Sequence, residues 1–520
     1  MKKLAIIGCG ISAVPILRKA KEIGVQTFSF AMHELPCTKG LSDYFIPIAY
    51  ENVETIIDEC KRIGINGVIA SSDNTTEYTA EIAFRMGLPG NRIKGGFCGK
   101  NKYRMRKCLD GNTFVNQPRY YQYHKGININ FPAIIKAVDS CGKRGISYVK
   151  NNEELNDAVK YSLEASNKQI VLVEEYIDNG TEYSVECLSY QNRHYVIQIT
   201  KKDSAGPPHF LEIGHHQPGA INNIHTQLIR KAIPEILSSI GIYNSMSHIE
   251  LKITDDNKLY FIELGARAGG DRIADTLLKL SVDYDYYKGA IQIALDEFEE
   301  PVVHHKSYAG IYYLCKQTEY LANLFDKAQG ADWCIETKMP KGQFQIAKTN
   351  VDRDEHCGYL IYSCDHNISV GKDASWMALR INDYVNACWL IEDFYKRIKR
   401  QIDPIELSKG ITKFIDKGNI FAVLDEGRII ALLNVYCNQK DSAYINNVEV
   451  YTPYRGNGLS KVIMLSAISF CKQLGYHVIQ LHVSKGNYIA ENLYLGLGFM
   501  KTGAFIEKEG SVLNELIINI

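Results

Sequence analysis

Two apolar, strand-like runs, Ile249-Glu250-Leu251-Lys252 and Phe261-Ile262-Glu263-Leu264, each carry one acid, and Thr254-Asp255-Asp256-Asn257 lies between them. Alternating runs separated by turn residues read as a β-hairpin. Adjacent antiparallel strands bring the two carboxylates together, and like charges at that separation repel unless a cation sits between them. Hard oxygen ligands favour Mg²⁺, which also takes oxygens from substrate phosphates. Gly265-Ala266-Arg267-Ala268-Gly269-Gly270-Asp271 follows, and its arginine suits an anionic phosphoryl group. The pattern points to ATP-dependent phosphoryl transfer, with Glu250 and Glu263 as the expected metal ligands.

A chain of 520 residues is too long for one core, so three or four structural units are expected. Lysine plus arginine equals aspartate plus glutamate at 59 each, which argues against a strong grip on nucleic acid or an anionic membrane. No uninterrupted apolar run is long enough to span a bilayer. The opening Met1-Lys2-Lys3-Leu4-Ala5-Ile6-Ile7 is broken at once by Gly8, Gly10 and Ser12, so it reads as a first strand rather than a leader. The 14 cysteines are scattered without Cys-x-x-Cys spacing and read as reduced thiols of a cytoplasmic protein.

Along the chain, residues 1–100 alternate strands (Leu4 to Ile7, Thr27 to Phe30, Gly67 to Ala70) with helices (Ala13 to Ile23, Val53 to Ile63), the pattern of a parallel sheet. Gly8-Cys9-Gly10-Ile11-Ser12-Ala13 reads either as a dinucleotide turn or as a tight structural turn. Ala13 in the third glycine position, and Ser29-Phe30-Ala31-Met32 where a ribose-binding acid would end the second strand, favour the structural reading. Residues 101–305 read as α+β. The stretch 306–374 is β-rich, with strands Tyr308 to Cys315 and Tyr359 to Ser363, and shows no chemistry. A boundary is expected near Lys372 to Ser375, before a strand Ala378 to Ile381 and a helix Val385 to Gln401.

Phe131-Pro132-Ala133-Ile134-Ile135-Lys136 ends a strand in a lysine, and Ser140-Cys141-Gly142-Lys143-Arg144-Gly145-Ile146 is a small basic loop able to close over phosphates. Lys102 opens a helix, and Val171-Leu172-Val173-Glu174-Glu175-Tyr176-Ile177 ends a strand in two acids. Together, in this order and followed by the acidic hairpin, these motifs resemble the ATP-grasp superfamily of carboxylate–amine ligases, nearest in motif to the L-amino-acid (dipeptide) ligases. The resemblance implies that Lys102 and Lys136 hold nucleotide phosphates. It makes Glu174, Glu175 and Ile177 an adenine hinge, with Glu174 facing the base, and has Glu182 bind ribose hydroxyls. In many relatives an asparagine two residues after the second acid completes the metal shell; here that position is Gly265. Arg267 is the expected stabiliser of the transferred phosphate.

The chemistry so implied is attack of a carboxylate on the γ-phosphate, followed by attack of an amine on the acyl phosphate. Pro207-Pro208-His209-Phe210-Leu211-Glu212-Ile213-Gly214-His215-His216-Gln217-Pro218 resembles a segment lining the substrate pocket of that subgroup. It offers Glu212 for a substrate ammonium and His215 for a carboxylate or acyl phosphate, with a structural role as the alternative for the histidine. Amino acids or an amino-sugar conjugate are the expected substrates, and a homodimer is one option among the relatives.

The last part of the chain has a different character. Strand Ala443 to Val450 feeds Thr452-Pro453-Tyr454-Arg455-Gly456-Asn457-Gly458-Leu459-Ser460 and a helix Lys461 to Leu474. A glycine-rich turn at a helix N-terminus makes an anion site. With Asn487-Tyr488-Ile489-Ala490-Glu491-Asn492-Leu493-Tyr494 and Gly498-Phe499 further on, it resembles the GNAT N-acetyltransferases. The resemblance implies that Val450, Arg455, Gly456, Asn457, Gly458, Leu459 and Ser460 hold acetyl-CoA and that Tyr494 protonates the departing thiolate. It offers Asn487 as a coenzyme A contact and Glu449 as a general base.

The expected fold is therefore multidomain, α/β and α+β. It comprises a Rossmann-like pre-ATP-grasp domain (1–100), an ATP-grasp domain (101–305), the β-rich end of the ligase (306–374) and a GNAT domain (375–520). The leading reading is a bifunctional enzyme using ATP, Mg²⁺ and acetyl-CoA on small-molecule substrates. A ligase with an acetyl-CoA-sensing GNAT domain is the second reading, and an NAD(P) oxidoreductase the third.

Overall fold

The computed structural model describes residues 1–219, 223–340, 342–365, 378–381, 384–398, 410, 412–413, 417–425, 428–508 and 511–520. The boundary expected near Lys372 to Ser375 lies outside the described residues.

The chain opens on a parallel sheet of β1 (Lys3–Ile7), β2 (Gln26–Phe30), β3 (Tyr44–Ile46) and β4 (Gly67–Ala70), ordered β3-β2-β1-β4. The helix Val53–Ile63 buries Val53, Ile56, Ile57 and Cys60, the spacing of one apolar stripe, and stops at Gly64, whose φ of 76° suits glycine. At the glycine turn only Gly8 requires its residue type: its φ is 95°, and a Cβ there would meet Ser71 Oγ at 2.4 Å. Gly10 has open space around it. The contact accounts for Gly8 by packing alone.

Next comes a small antiparallel sheet of β5 (Tyr120–Gln122), β6 (Ala133–Ala137), β7 (Ile146–Val149) and β8 (Val171–Glu175), ordered β5-β8-β6-β7. It carries Lys136 and Glu174 on neighbouring strands.

The central element is an eight-stranded antiparallel sheet of β9 (Thr181–Tyr190), β10 (Arg193–Ser204), β11 (Glu212–Gln217), β12 (Ser245–Ile253), β13 (Leu259–Gly265), β14 (Tyr308–Leu314), β15 (Cys334–Lys338) and β16 (Gly358–Cys364). Its order is β13-β12-β9-β10-β11-β14-β16-β15. Strand alternation divides its faces. Tyr183, Val185, Cys187, Ile249, Leu251 and Ile253 pack against Ile229, Ala232, Ile233, Ile236, Leu237 and Ile240 of the helix Asn223–Ile240. Glu182, Lys202, His248, Glu250, Lys252 and Glu263 line a cleft on the other face. The stretch 306–374 contributes β14, β15 and β16 to this same sheet, with Gly214 of β11 opposite Tyr312 of β14. The limit expected at 305 thus falls inside one continuous sheet.

The last sheet holds β17 (Ala378–Ile381), β18 (Gly418–Asp425), β19 (Arg428–Tyr436), β20 (Ser442–Val450), β21 (Val478–Ser484), β22 (Met500–Lys508) and β23 (Ser511–Asn519), ordered β17-β18-β19-β20-β21-β23-β22. The helix Tyr384–Arg397 precedes β18. The strand expected at Ala378 to Ile381 is present, and the end of the expected helix at Gln401 lies outside the described residues. The helix Leu459–Gln473 packs through Val462, Ile463 and Ala467 on this sheet, and its Ser469 carbonyl accepts from Tyr308 Oη of β14 at 2.5 Å.

Candidate active sites

The cleft on the central sheet encloses about 1020 Å³ and is bounded by the N-terminal unit, the small sheet, the glycine turn 265–271 and the helix Asn350–His356. The hairpin forms as its sequence suggests. Glu250 and Glu263 are partners across β12 and β13, with a bulge beside them, and the turn closes through Asn257 N–H to Thr254 O at 2.8 Å. Each acid meets a lysine: Lys202 Nζ lies 2.6 Å from Glu250 and Lys102 Nζ 2.9 Å from Glu263. Burial would raise the Glu250 carboxyl, but Lys202 and Lys143 outweigh it and hold the group well below its ordinary value. Two partly accessible carboxylates on neighbouring strands form a hard donor set of the kind Mg²⁺ takes.

Lys136 and Glu174 are buried and paired at 2.6 Å, and Arg106 Nε donates to the other side of Glu174 at 2.8 Å. Glu174, expected to face a nucleotide base, lines the cleft while holding these two cations. A fully buried carboxylate needs paired charges, and both of its oxygens are committed to Lys136 and Arg106. Burial depresses the Lys136 pKa despite Glu174. Glu175 turns outward to Arg119, and the Ile177 carbonyl accepts from Lys252 Nζ at 2.9 Å. Glu182 sits opposite both Lys202 and Lys252 in the ladders of β9.

Lys102 also donates to Ser140 O at 2.5 Å and so braces the start of the basic loop. Gly142 and Lys143 both adopt positive φ there, at 64° and 62°, and Lys143 reaches Glu212 at 3.2 Å. Arg267 donates through Nε and Nη2 to Asp73 Oδ2 at 3.0 and 2.9 Å. Gly269 N–H donates to Glu186 at 2.9 Å, and a Cβ there would lie 2.5 Å from Glu186 Oε1, so close approach requires glycine. His248 pairs with Glu186 at 2.5 Å. Burial works against its charge, but Glu186 prevails and raises the imidazole to about 9.

At the other end of the cleft, Glu212, His215 and Asp271 converge, with His215 Nε2 at 3.6 and 3.7 Å from the two acids. Among the described residues, neither nitrogen of the fully buried His215 has a hydrogen-bond partner. Lys202 meets Glu212 at 2.6 Å, Arg353 meets Asp271 at 2.6 Å, and Asn350 Nδ2 donates to both acids at 3.1 and 3.0 Å. Burial would raise the Glu212 carboxyl, yet Lys202 and Lys143 hold it well below its usual range. Arg353 is itself buried, lies 3.8 Å over the Tyr313 ring and donates to Glu212 O. The stretch 306–374 read as having no chemistry; the structure corrects this, since Asn350 and Arg353 come from it. Alternation on β10 could have flagged Lys202. Nothing local marks Asp73, Asn350 or Arg353.

In the last domain β20 and β21 run parallel, but only Ser442 to Ile445 pair, with Val478 to Leu481. Beyond that the two strands part. The glycine turn follows β20 and the helix Tyr488–Gly496 follows β21, so both leave the sheet at the same end. Gly456 and Gly458 have φ of 87° and 77°, and the helix Leu459–Gln473 starts without a side-chain cap, leaving N–H groups for an anion. Ser460 stands in its first turn, and Arg455 Nε donates to Val450 O at 3.2 Å. Asn457 lies in the turn between the two glycines. Tyr494 is buried beside Phe499, and burial raises its phenol to about 12. Glu449 is half-buried, opposite Leu432. Asn487 caps the helix Tyr488–Gly496, its Oδ1 accepting from Ala490 N–H at 3.3 Å, so this oxygen is committed locally.

An ATP-grasp domain model matches residues 129–275, and an acetyltransferase (GNAT) family model matches residues 380–499. The chain thus carries an ATP-grasp domain followed by a GNAT domain. It is 22% identical to pyruvate carboxylase of Staphylococcus aureus over 321 residues, covering 56% of this chain and 27% of that one. It is 23% identical to the carbamoyl phosphate synthase large chain of Campylobacter jejuni over 272 residues, covering 48% and 24%. The chain thus spans about a quarter of the length of these two curated relatives. An L-amino acid ligase from Bacillus licheniformis shares the fold of 70% of this chain and 93% of its own, at a TM-score of 0.56 and 22% identity. Among the described residues no helix is long and apolar enough to cross a membrane.

Proposed function

We propose that the chain is a bifunctional enzyme: an ATP-dependent carboxylate–amine ligase acting through an acyl phosphate, joined to an acetyl-CoA-dependent N-acetyltransferase. The observation that carries the ligase reading is the direct opposition of Glu250 and Glu263 on a sheet face that also presents Lys202 and that Lys102 reaches from its helix. In this reading Glu250 and Glu263 hold Mg²⁺, which when bound offsets charge on the β- and γ-phosphates. Lys102, Lys136 and the loop 140–146 hold the phosphates. Glu175 and Ile177 border the base, and Glu182 takes the ribose. Arg267 stabilises the phosphoryl group in flight.

At the deep end of the cleft, beside Asp271, Glu212 takes a substrate ammonium and His215 a substrate carboxylate or the acyl phosphate. The two acids are paired with Lys143, Lys202 and Arg353. A carboxylate oxygen attacks the γ-phosphate, ADP leaves, and an amine displaces phosphate from the acyl phosphate to give an amide. Enclosure of the cleft keeps water from the intermediate. The small-molecule substrates are amino acids or their conjugates.

In the GNAT domain the turn 455–460 holds the pyrophosphate of acetyl-CoA, and Tyr494 delivers its proton to the departing thiolate. A phenol raised to about 12 remains a donor at neutral pH. Glu449 is the base for the amine. The proposed units are 1–100, 101–305, 306–374 and 375–520, the middle two sharing one sheet.

Purified protein incubated with ATP, Mg²⁺ and pairs of amino acids tests the ligase. Phosphate release that depends on both an acid and an amine, with an amide seen by mass spectrometry, is expected. ATP turnover indifferent to every pair refutes it. Loss of acetyl transfer in Tyr494→Phe with the ligase intact would support the enzyme reading of the second domain, whereas acetyl-CoA that binds without being consumed would favour the sensor reading.

A further inference from the structure

Asp73 opens the short turn after β4, so the N-terminal unit delivers it at the carboxyl end of a parallel strand. Open α/β sheets bind ligands at that end. Arg267 takes one oxygen of this carboxylate, Oδ2, through both Nε and Nη2. The other oxygen, Oδ1, accepts no hydrogen bond among the described residues, and Asp73 lines the cleft.

The position of Oδ1 relative to the hairpin is informative. Residues two apart on a strand share a face, so a side chain at 265 would project beside that of Glu263. A Cβ built on Gly265 would stand 2.8 Å from Asp73 Oδ1 and 3.1 Å from the Arg267 guanidinium carbon. The Asp73 carboxylate fills the room that a side chain at 265 would take. Burial works against the Lys102 charge, and Glu263 and Asp73 are among the groups that hold it on.

We propose that Asp73 supplies a third carboxylate oxygen to the divalent cation held by Glu250 and Glu263, standing in for a side chain at position 265. The inference rests on the ligase reading above. Mg²⁺ prefers a close-to-octahedral shell of hard oxygens, and two glutamates leave positions open for both phosphate and Asp73. Arg267, fixed on Oδ2, keeps Oδ1 turned toward the hairpin. The N-terminal unit thereby takes part in holding the metal, so loading the metal draws that unit onto the nucleotide.

Mn²⁺ binding to the full chain with ADP, read by the fall in the free-Mn²⁺ paramagnetic resonance signal, tests this without turnover. Asp73→Ala should weaken binding roughly 10- to 100-fold, the cost of losing a group that supports a metal site. Asp73→Asn, which keeps size and an oxygen, should lose less. The decisive arm is the rescue. With Asp73 cut back to alanine, Gly265→Asn has room and an oxygen to offer, and should recover most of the affinity. Gly265→Asn alone, forced against Asp73, should lose it. Wild-type affinity in Asp73→Ala overturns the inference, and so does a loss that Gly265→Asn fails to repair. A wild-type protein that binds no Mn²⁺ with ADP overturns the ligase reading itself.

Discussion

Arg353 and Asp271 meet at 2.6 Å although they stand 82 positions apart in the chain. Their pairing closes the substrate end of the cleft, because Arg353 also donates to the Glu212 carbonyl and lies over Tyr313. Truncating one partner of a buried pair strands the other charge, at a cost of about 3–5 kcal/mol. Arg353→Met is therefore expected to lower the denaturant midpoint markedly. Arg353→Lys should keep more stability than Arg353→Met yet lose amine-dependent turnover, because lysine lacks the planar fork. Chemical denaturation and product yield measure the two effects separately.

Glu250→Gln and Glu263→Gln each remove a metal-binding charge while keeping side-chain size. Each leaves a lysine, Lys202 or Lys102, without that partner. Substrate-dependent phosphate release is expected to fall at least about 100-fold, the scale of lost electrostatic stabilisation at a developing charge. ADP binding without added metal should change little. Steady-state kinetics beside calorimetry of ADP binding would show the split.

For the second domain, Tyr494→Phe should lower the rate of acetyl transfer by roughly 100- to 10,000-fold, the usual contribution of a positioned acid. The acetyl-CoA KM should barely move. With its phenol raised to about 12, Tyr494 keeps its proton through pH 10. The alkaline side of the wild-type rate profile should accordingly show no fall from this group below that pH.

His194 gives a pH-dependent stability. Its ring lies between Ser189 and Ser238, at 2.8 and 3.0 Å, and burial lowers its pKa to about 4. The unfolded chain takes up a proton near pH 6.5, whereas the folded chain resists until about 4. The neutral ring's contribution is thus complete above pH 6.5 and is lost as pH falls toward 4. Denaturant midpoints measured across that window should decline with acid, and His194→Asn should flatten the decline.

The hairpin of Glu250 and Glu263 was legible because its information is local: alternation, turn residues and one acid per strand. The same holds for the helix Val53–Ile63, whose apolar stripe and closing Gly64 stand in eleven residues and one more. The two domain classes were legible for a related reason, since short motifs in a set order carry them. Partners were not. Glu174 could be placed on its strand, but its commitment to Arg106 depends on how a helix some 68 positions earlier packs. Asp73 and Arg353 reach the cleft only through the docking of a separate sheet and a seven-residue helix, and no periodicity in their own segments reports that.

The ladder between β11 and β14 has a practical consequence for anyone cutting this protein into parts. Ending an expression product near 305 would strip β14, β16 and β15 from the sheet and leave the β11 edge with unmet N–H and C=O groups. Such an edge invites pairing with other chains. The shortened product should come out of cells as aggregate rather than as a smaller nucleotide binder, and a stop placed after β16 should be the first to yield monodisperse material.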